Sequence, residues 1–107
     1  MEIKKIFETE AFINGHGVEA RRFYQNEQMM MVHLNLKPGD VIAKHGAPMN
    51  VCFVVLEGKG IVEIGDESKD VEANTLIESP ANCGHGWRNE SDEVLRILVI
   101  KMMKPAQ

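Results

Sequence analysis

A chain of 107 residues with a net charge of −4, its acidic and basic residues interleaved, is one domain with no electrostatic footprint for nucleic acid. Apolar residues at 44% and charged residues at 26% are ordinary for a soluble globular protein, and the longest apolar run, Val51–Leu56, is far too short to span a bilayer. The charged opening MEIKKIFETE has no signal-peptide stretch, so the two cysteines read as free thiols of a cytoplasmic protein.

In chain order, residues 1–28 are mixed. Their clearest signal is the turn Ile13-Asn14-Gly15-His16-Gly17, where two glycines and an asparagine tolerate positive φ. Met29–Lys37 alternates: Met30, Val32, Leu34 and Leu36 share one face, and Met31, His33, Asn35 and Lys37 the other. That is the period of a half-buried strand, and it puts His33 outside a barrel, as a surface or interface histidine. Pro38-Gly39-Asp40 turns the chain and Val41–Ala43 begins a short strand. Val51–Glu57, β-branched and aromatic, is a strand that stops at Gly58-Lys59-Gly60. Strands follow at Ile61–Ile64, around Lys69–Glu72 and at Leu76–Glu78, the last ending at Ser79-Pro80. Ala81–Gly86 reads as a loop of small residues carrying Cys83 and His85, and Val94–Met102 as a final apolar strand. No window carries a sustained helical stripe. Short strands punctuated by turns every eight to twelve residues or so indicate an all-β sandwich or barrel.

Two stretches are more specific. PGDVIAKHGAPMNVCFVVLEGKG and NTLIESPANCGHGWRN resemble, in order, the two motifs of the cupin superfamily. Gly39, His45 and Gly58 match the first motif; Pro80, His85 and Asn89 match the second. The resemblance implies a double-stranded β-helix, the jelly-roll barrel, as a single domain over 1–107. Its core barrel spans about 29–102, and region 1–28 supplies an N-terminal strand that packs on the barrel or in a dimer. Two glycines of the second motif are Asn74 and Asn82 here, a mild change because asparagine is the non-glycine residue best suited to positive φ. The first motif loses more. Ala47 stands where the resemblance implies a second histidine, and Val51 where it implies a glutamate.

The resemblance implies a site at the barrel mouth, lined by Val32, Leu34, Ile42, His45, Ala47, Val51, Phe53 and His85. His45 and His85 are the metal ligands that remain of the usual four, and imidazole suits Mn, Fe, Ni, Cu and Zn alike. Cys83 and Glu78 are candidate extra ligands; a plain loop thiol and a solvent-facing carboxylate are their ordinary readings. Cys52, next to Val51, turns away from the pocket as a buried structural thiol. Arg96 clamps an anion if it faces inward and is a sheet-surface charge if it faces outward. Trp87 closes the pocket rim or a dimer seam.

These residues support a small-molecule-binding protein with a reduced metal centre on His45 and His85, with a dioxygenase-like oxidoreductase as the activity the resemblance implies. The alternative is a metal-free ligand-binding or sensor protein with an apolar pocket. The sequence does not decide whether the chain is an enzyme. The expected partners are a small-molecule ligand and a second copy of the chain in a homodimer, with neither nucleic acid nor membrane.

Overall fold

The structure is a computed structural model and describes residues 1–103. Among these residues there are ten strands: β1 (Phe12–Ile13), β2 (Glu19–Gln25), β3 (Met29–Leu36), β4 (Val41–His45), β5 (Val51–Glu57), β6 (Lys59–Ile64), β7 (Glu67–Glu72), β8 (Thr75–Ser79), β9 (His85–Arg88) and β10 (Leu95–Met102); β1, β2 and β9 lie where the residue pattern signals no strand. A single 3-10 turn, Ile6–Glu8, precedes them. Six strands form one antiparallel sheet in the order β1-β2-β3-β10-β5-β8, and four form a second in the order β4-β9-β6-β7. Among the described residues no helix is long and apolar enough to cross a membrane.

The two sheets enclose one core because inward residues meet row by row. Leu36 lies opposite Leu95; Leu34 opposite Ile97, which lies opposite Val55; Val32 opposite Val99, which lies opposite Phe53. Leu36, Leu95, Ile97 and Val55 are fully buried, while Ile42, Val62 and Trp87 cover them from the smaller sheet. Each such side chain contributes about 1.5–3 kcal/mol on leaving water. Asn89 ties the closed end: its side-chain amide donates to the carbonyls of Leu36 (3.0 Å) and Glu93 (2.8 Å), and its Oδ1 accepts from Ser91. Asn74 and Asn82 both adopt positive φ, 71° and 66°, so the glycine-to-asparagine changes preserve these turns. Gly58 has no such latitude, because a Cβ there would collide with the Val94 carbonyl oxygen.

Two expectations need correction. His85 does not lie in a loop; it opens β9, and the loop ends at Gly84. A glycine-rich stretch forms a strand here because a Cβ on Gly86 would come within 2.7 Å of the Ile42 carbonyl oxygen, so β4 approaches β9 closely only over a glycine. His33 faces out of the barrel, as alternation requires, yet it is fully buried and not a surface histidine. The 3-10 turn lays Phe7 across it edge-on at 5.3 Å, between the guanidinium groups of Arg21 (5.1 Å) and Arg96 (5.0 Å).

Arg96 Nε donates to His33 Nε2 at 3.1 Å and Arg96 Nη1 pairs with Glu57 at 3.2 Å. Guanidinium is only a donor, so the His33 proton sits on Nδ1, which is buried without a partner. Burial, and then the charges of Arg96 and Arg21, hold the His33 pKa down at about 4 against a modest opposing pull from Glu19. Between pH 6.5 and about 4 the unfolded chain therefore binds a proton that the folded chain refuses. The contribution of His33 is complete above the upper value and lost as pH falls to the lower, a change on the order of 3 kcal/mol. Urea denaturation across this window should show His33→Gln, which keeps an acceptor and cannot titrate, with a flatter stability profile than the wild type. Parallel profiles would refute the assignment.

Candidate functional site

The rows that close the core at Leu36 and Leu95 stay open at the other end, where β3, β10 and β5 finish in Met30, Val32, Val99, Lys101 and Phe53. A cavity of about 300 Å³ opens there. A dry apolar cavity of about 150 Å³ accommodates benzene, so this one has room for a one- or two-ring molecule. Ile42 and Trp87 form the wall from the smaller sheet, and the β1–β2 hairpin supplies the rim with Phe12, Asn14, Gly15 and His16.

A continuous series of rings runs down one wall. His16 packs on His45 (centroids 5.0 Å apart, tilted 33°), His45 on His85 (4.8 Å, edge-on), His85 on Phe53 (5.1 Å) and Phe53 on Trp87 (5.5 Å). β4 and β9 set His45 directly opposite His85, after an irregularity in pairing that follows Ile42. His45 is exposed and His85 buried, so the series passes from solvent to core. His45 Nδ1 lies 3.0 Å from the Ala43 carbonyl, an acceptor only, and so carries a hydrogen. His85 Nδ1 shares a 3.0 Å hydrogen bond with the buried Ser79 hydroxyl. Burial foremost, then the nearby His45 and Lys101, lower the His85 pKa to about 4, leaving the ring neutral at neutral pH.

Of the expected lining, Val32, Leu34, Ile42, Phe53, His45 and His85 face the cavity. Val51 and Ala47 do not. Val51 points inward as alternation demands but is sealed in the core at 1% exposure, and Ala47 packs against the core from outside the cavity wall. Glu78 is exposed, paired across β5–β8 with Cys52 on the outer face of the sheet. Cys52 is half-buried there instead of fully enclosed. Cys83 is a free, half-buried thiol beside Gly65, away from the cavity. Arg96 belongs to the His33 cluster on the outer face and is no clamp for the cavity. Trp87 is a strand residue at 1% exposure, part of the core and the cavity wall. His16, Arg22 and Lys101 line the cavity unanticipated. The alternation Ile97, Val99, Lys101 signals the last; His16 reaches the mouth only through the hairpin fold.

These donors fit a resident metal poorly. Both His45 and His85 have Nδ1 engaged by a fixed partner, the usual arrangement of a ligating imidazole. The third and fourth donors are missing: Ala47 and Val51 offer none, and Cys83 and Glu78 lie elsewhere. His16 stacks on the face of His45, and among the described residues no three His, Cys, Asp or Glu side chains are placed to hold one ion. Two imidazoles fall short of the three or four protein ligands typical of a tightly held ion.

Residues 32–101 match the family model described as the cupin domain. No curated protein sequence matches the chain. Among solved structures it is similar to the TT1209 protein of Thermus thermophilus, with a TM-score of 0.84 and 27% identity over 98% of this chain and 100% of that one. It is also similar to the polyketide cyclase RemF from Streptomyces resistomycificus (TM-score 0.86, 17% identity, 100% and 82% covered). A further likeness is to a predicted oxalate decarboxylase from Thermotoga maritima (TM-score 0.85, 16% identity, 96% and 100% covered). The last two show a shared fold alone.

Ser79→Ala removes the hydroxyl that satisfies His85 Nδ1 in a buried place. It should lower the unfolding free energy by about 1–3 kcal/mol in urea titrations with the slope unchanged. Wild-type stability in this variant would show that the hydrogen bond does not hold the ring.

Proposed function

We propose that this chain, which belongs to the cupin domain family, binds a small organic molecule in the cavity at its barrel mouth, with His45 and His85 as hydrogen-bonding partners. The observation that carries this reading is the cavity itself: about 300 Å³, apolar along Val32, Leu34, Phe53 and Trp87, with imidazoles at one side. A few polar groups on an otherwise apolar wall are the usual composition of a small-molecule site. A neutral His85 orients a ligand through its free Nε2 and, with so low a pKa, is a weak base at neutral pH. His45, the more exposed of the two, packs its ring against that of His85 at the cavity wall.

A metal centre on His45 and His85, completed by water and ligand, is the second reading. It is favoured by the two anchored Nδ1 atoms, which leave both Nε2 atoms available.

One pair of measurements separates the readings. With a chelator present, a neutral bicyclic probe such as naphthamide should raise the melting temperature saturably, and His45→Ala should weaken its binding about two- to tenfold. No shift across a panel of mono- and bicyclic probes would sink the organic-ligand reading. Elemental analysis of untagged protein, purified without chelator, gives the other arm. Near one transition metal per chain, lost in the His45→Ala/His85→Ala variant, would establish the metal reading in its place.

The homodimer belongs to this proposal as well. The six-stranded sheet ends in β1 and β8, edges with unpaired backbone groups, and Phe12, Ile13 and Leu76 are exposed on them. Sedimentation at micromolar concentration should give twice the chain mass; a monomer would refute it.

A further inference from the structure

The cavity wall carries two cations and no carboxylate, in a chain whose net charge is −4. Arg22 on β2 lies opposite Val32, and Lys101 on β10 lies opposite Met30. Cross-strand partners share a face of the sheet, so the register that turns Val32 and Met30 into the cavity turns both cations the same way. Both sit at the mouth end, on the strands that flank β3.

Neither cation is neutralised. Arg21 pairs with Glu19, Arg88 with Glu63 and Glu90, and Arg96 with Glu57. Among the described residues the side chains of Arg22 and Lys101 make no ion pair or hydrogen bond. The Arg22 guanidinium lies over the Phe12 ring at 5.7 Å, also at the cavity rim. The charge of Lys101 is felt inside the cavity, since it is among the causes that disfavour protonation of His85. An apolar chamber with two unpaired cations at its mouth complements a molecule that is apolar at one end and anionic at the other.

We infer that the ligand is a ring-bearing organic acid bound as its carboxylate, the ring against Val32, Leu34, Phe53 and Trp87 and the carboxylate held by Arg22 and Lys101. This rests on the cavity reading above and names the ligand class for the same site. His85, kept neutral chiefly by its burial, leaves the anion to Arg22 and Lys101.

The test compares naphthalene carboxylate with naphthamide, of nearly the same shape and differing in charge, by calorimetric titration at neutral pH and low salt. The carboxylate should bind about tenfold more tightly, and added salt should erode that advantage while sparing the amide. In Arg22→Gln/Lys101→Gln the ratio of the two affinities should fall towards one. In Arg22→Lys/Lys101→Arg, which keeps both charges, it should survive. Equal affinities in the wild type, or a preference that persists in the glutamine variant, would overturn the clamp and leave the cavity reading standing. Binding of neither probe would overturn the cavity reading and the clamp with it.

Discussion

The register of three neighbouring strands, β3, β10 and β5, is the constraint on which the rest of the molecule depends. Because side chains alternate across a strand, one pairing decides what faces inward along all three at once. It places Leu36, Leu95, Ile97 and Val55 where the sheets close and Met30, Val99, Lys101 and Phe53 where they part. A slip of one residue would exchange Val32 and Leu34 for His33 and Asn35, filling the core with polar groups and scattering the cavity wall. Core and site are two ends of one ladder.

The outer face of the same ladder has its own chemistry. His33 and Arg96 lie on strands β3 and β10 and face away from the cavity, sealed by Phe7. The molecule thus holds two buried neutral histidines, His33 on the outward face of the larger sheet and His85 on the inward face of the smaller one, kept neutral chiefly by burial. Their surroundings differ. His33 is locked between arginines and an aromatic cover, whereas His85 faces a cavity with Ser79 behind it. Burial alone does not make a site; open space beside the ring does.

Much of this was legible in the residues. The run Val51–Glu57 declares its strand by composition, and both second-motif asparagines occupy the positive-φ positions expected of them. His45 and His85 meet across β4–β9 as the motif resemblance implied. The remainder depended on contacts distant in the chain. Nothing near His16 marks it for a mouth built by residues of β3, β4 and β9. Nothing near His33 shows that the first ten residues fold back over it. The strand at His85 was hidden because Gly84 and Gly86 suggest a loop, although Gly86 is there to let two backbones meet. Arg96 and Lys101 have opposite facings, which the alternation of β10 settles once Ile97 and Val99 are known to be inside.

The rim of the cavity rests on a short pairing. β1 joins the sheet through two residues, Phe12 and Ile13, both exposed, and the hairpin that follows carries His16 to the mouth. Segments with so few ladder bonds open at a small fraction of the free energy that unfolds a barrel. On the proposed reading, a ligand enters and leaves past this short ribbon, with the barrel as its frame. On that reading residence time and global stability are separate properties: substitutions at Leu36 or Ile97 act on the frame, and substitutions in the Phe12–Gly17 ribbon act on the exchange of the ligand.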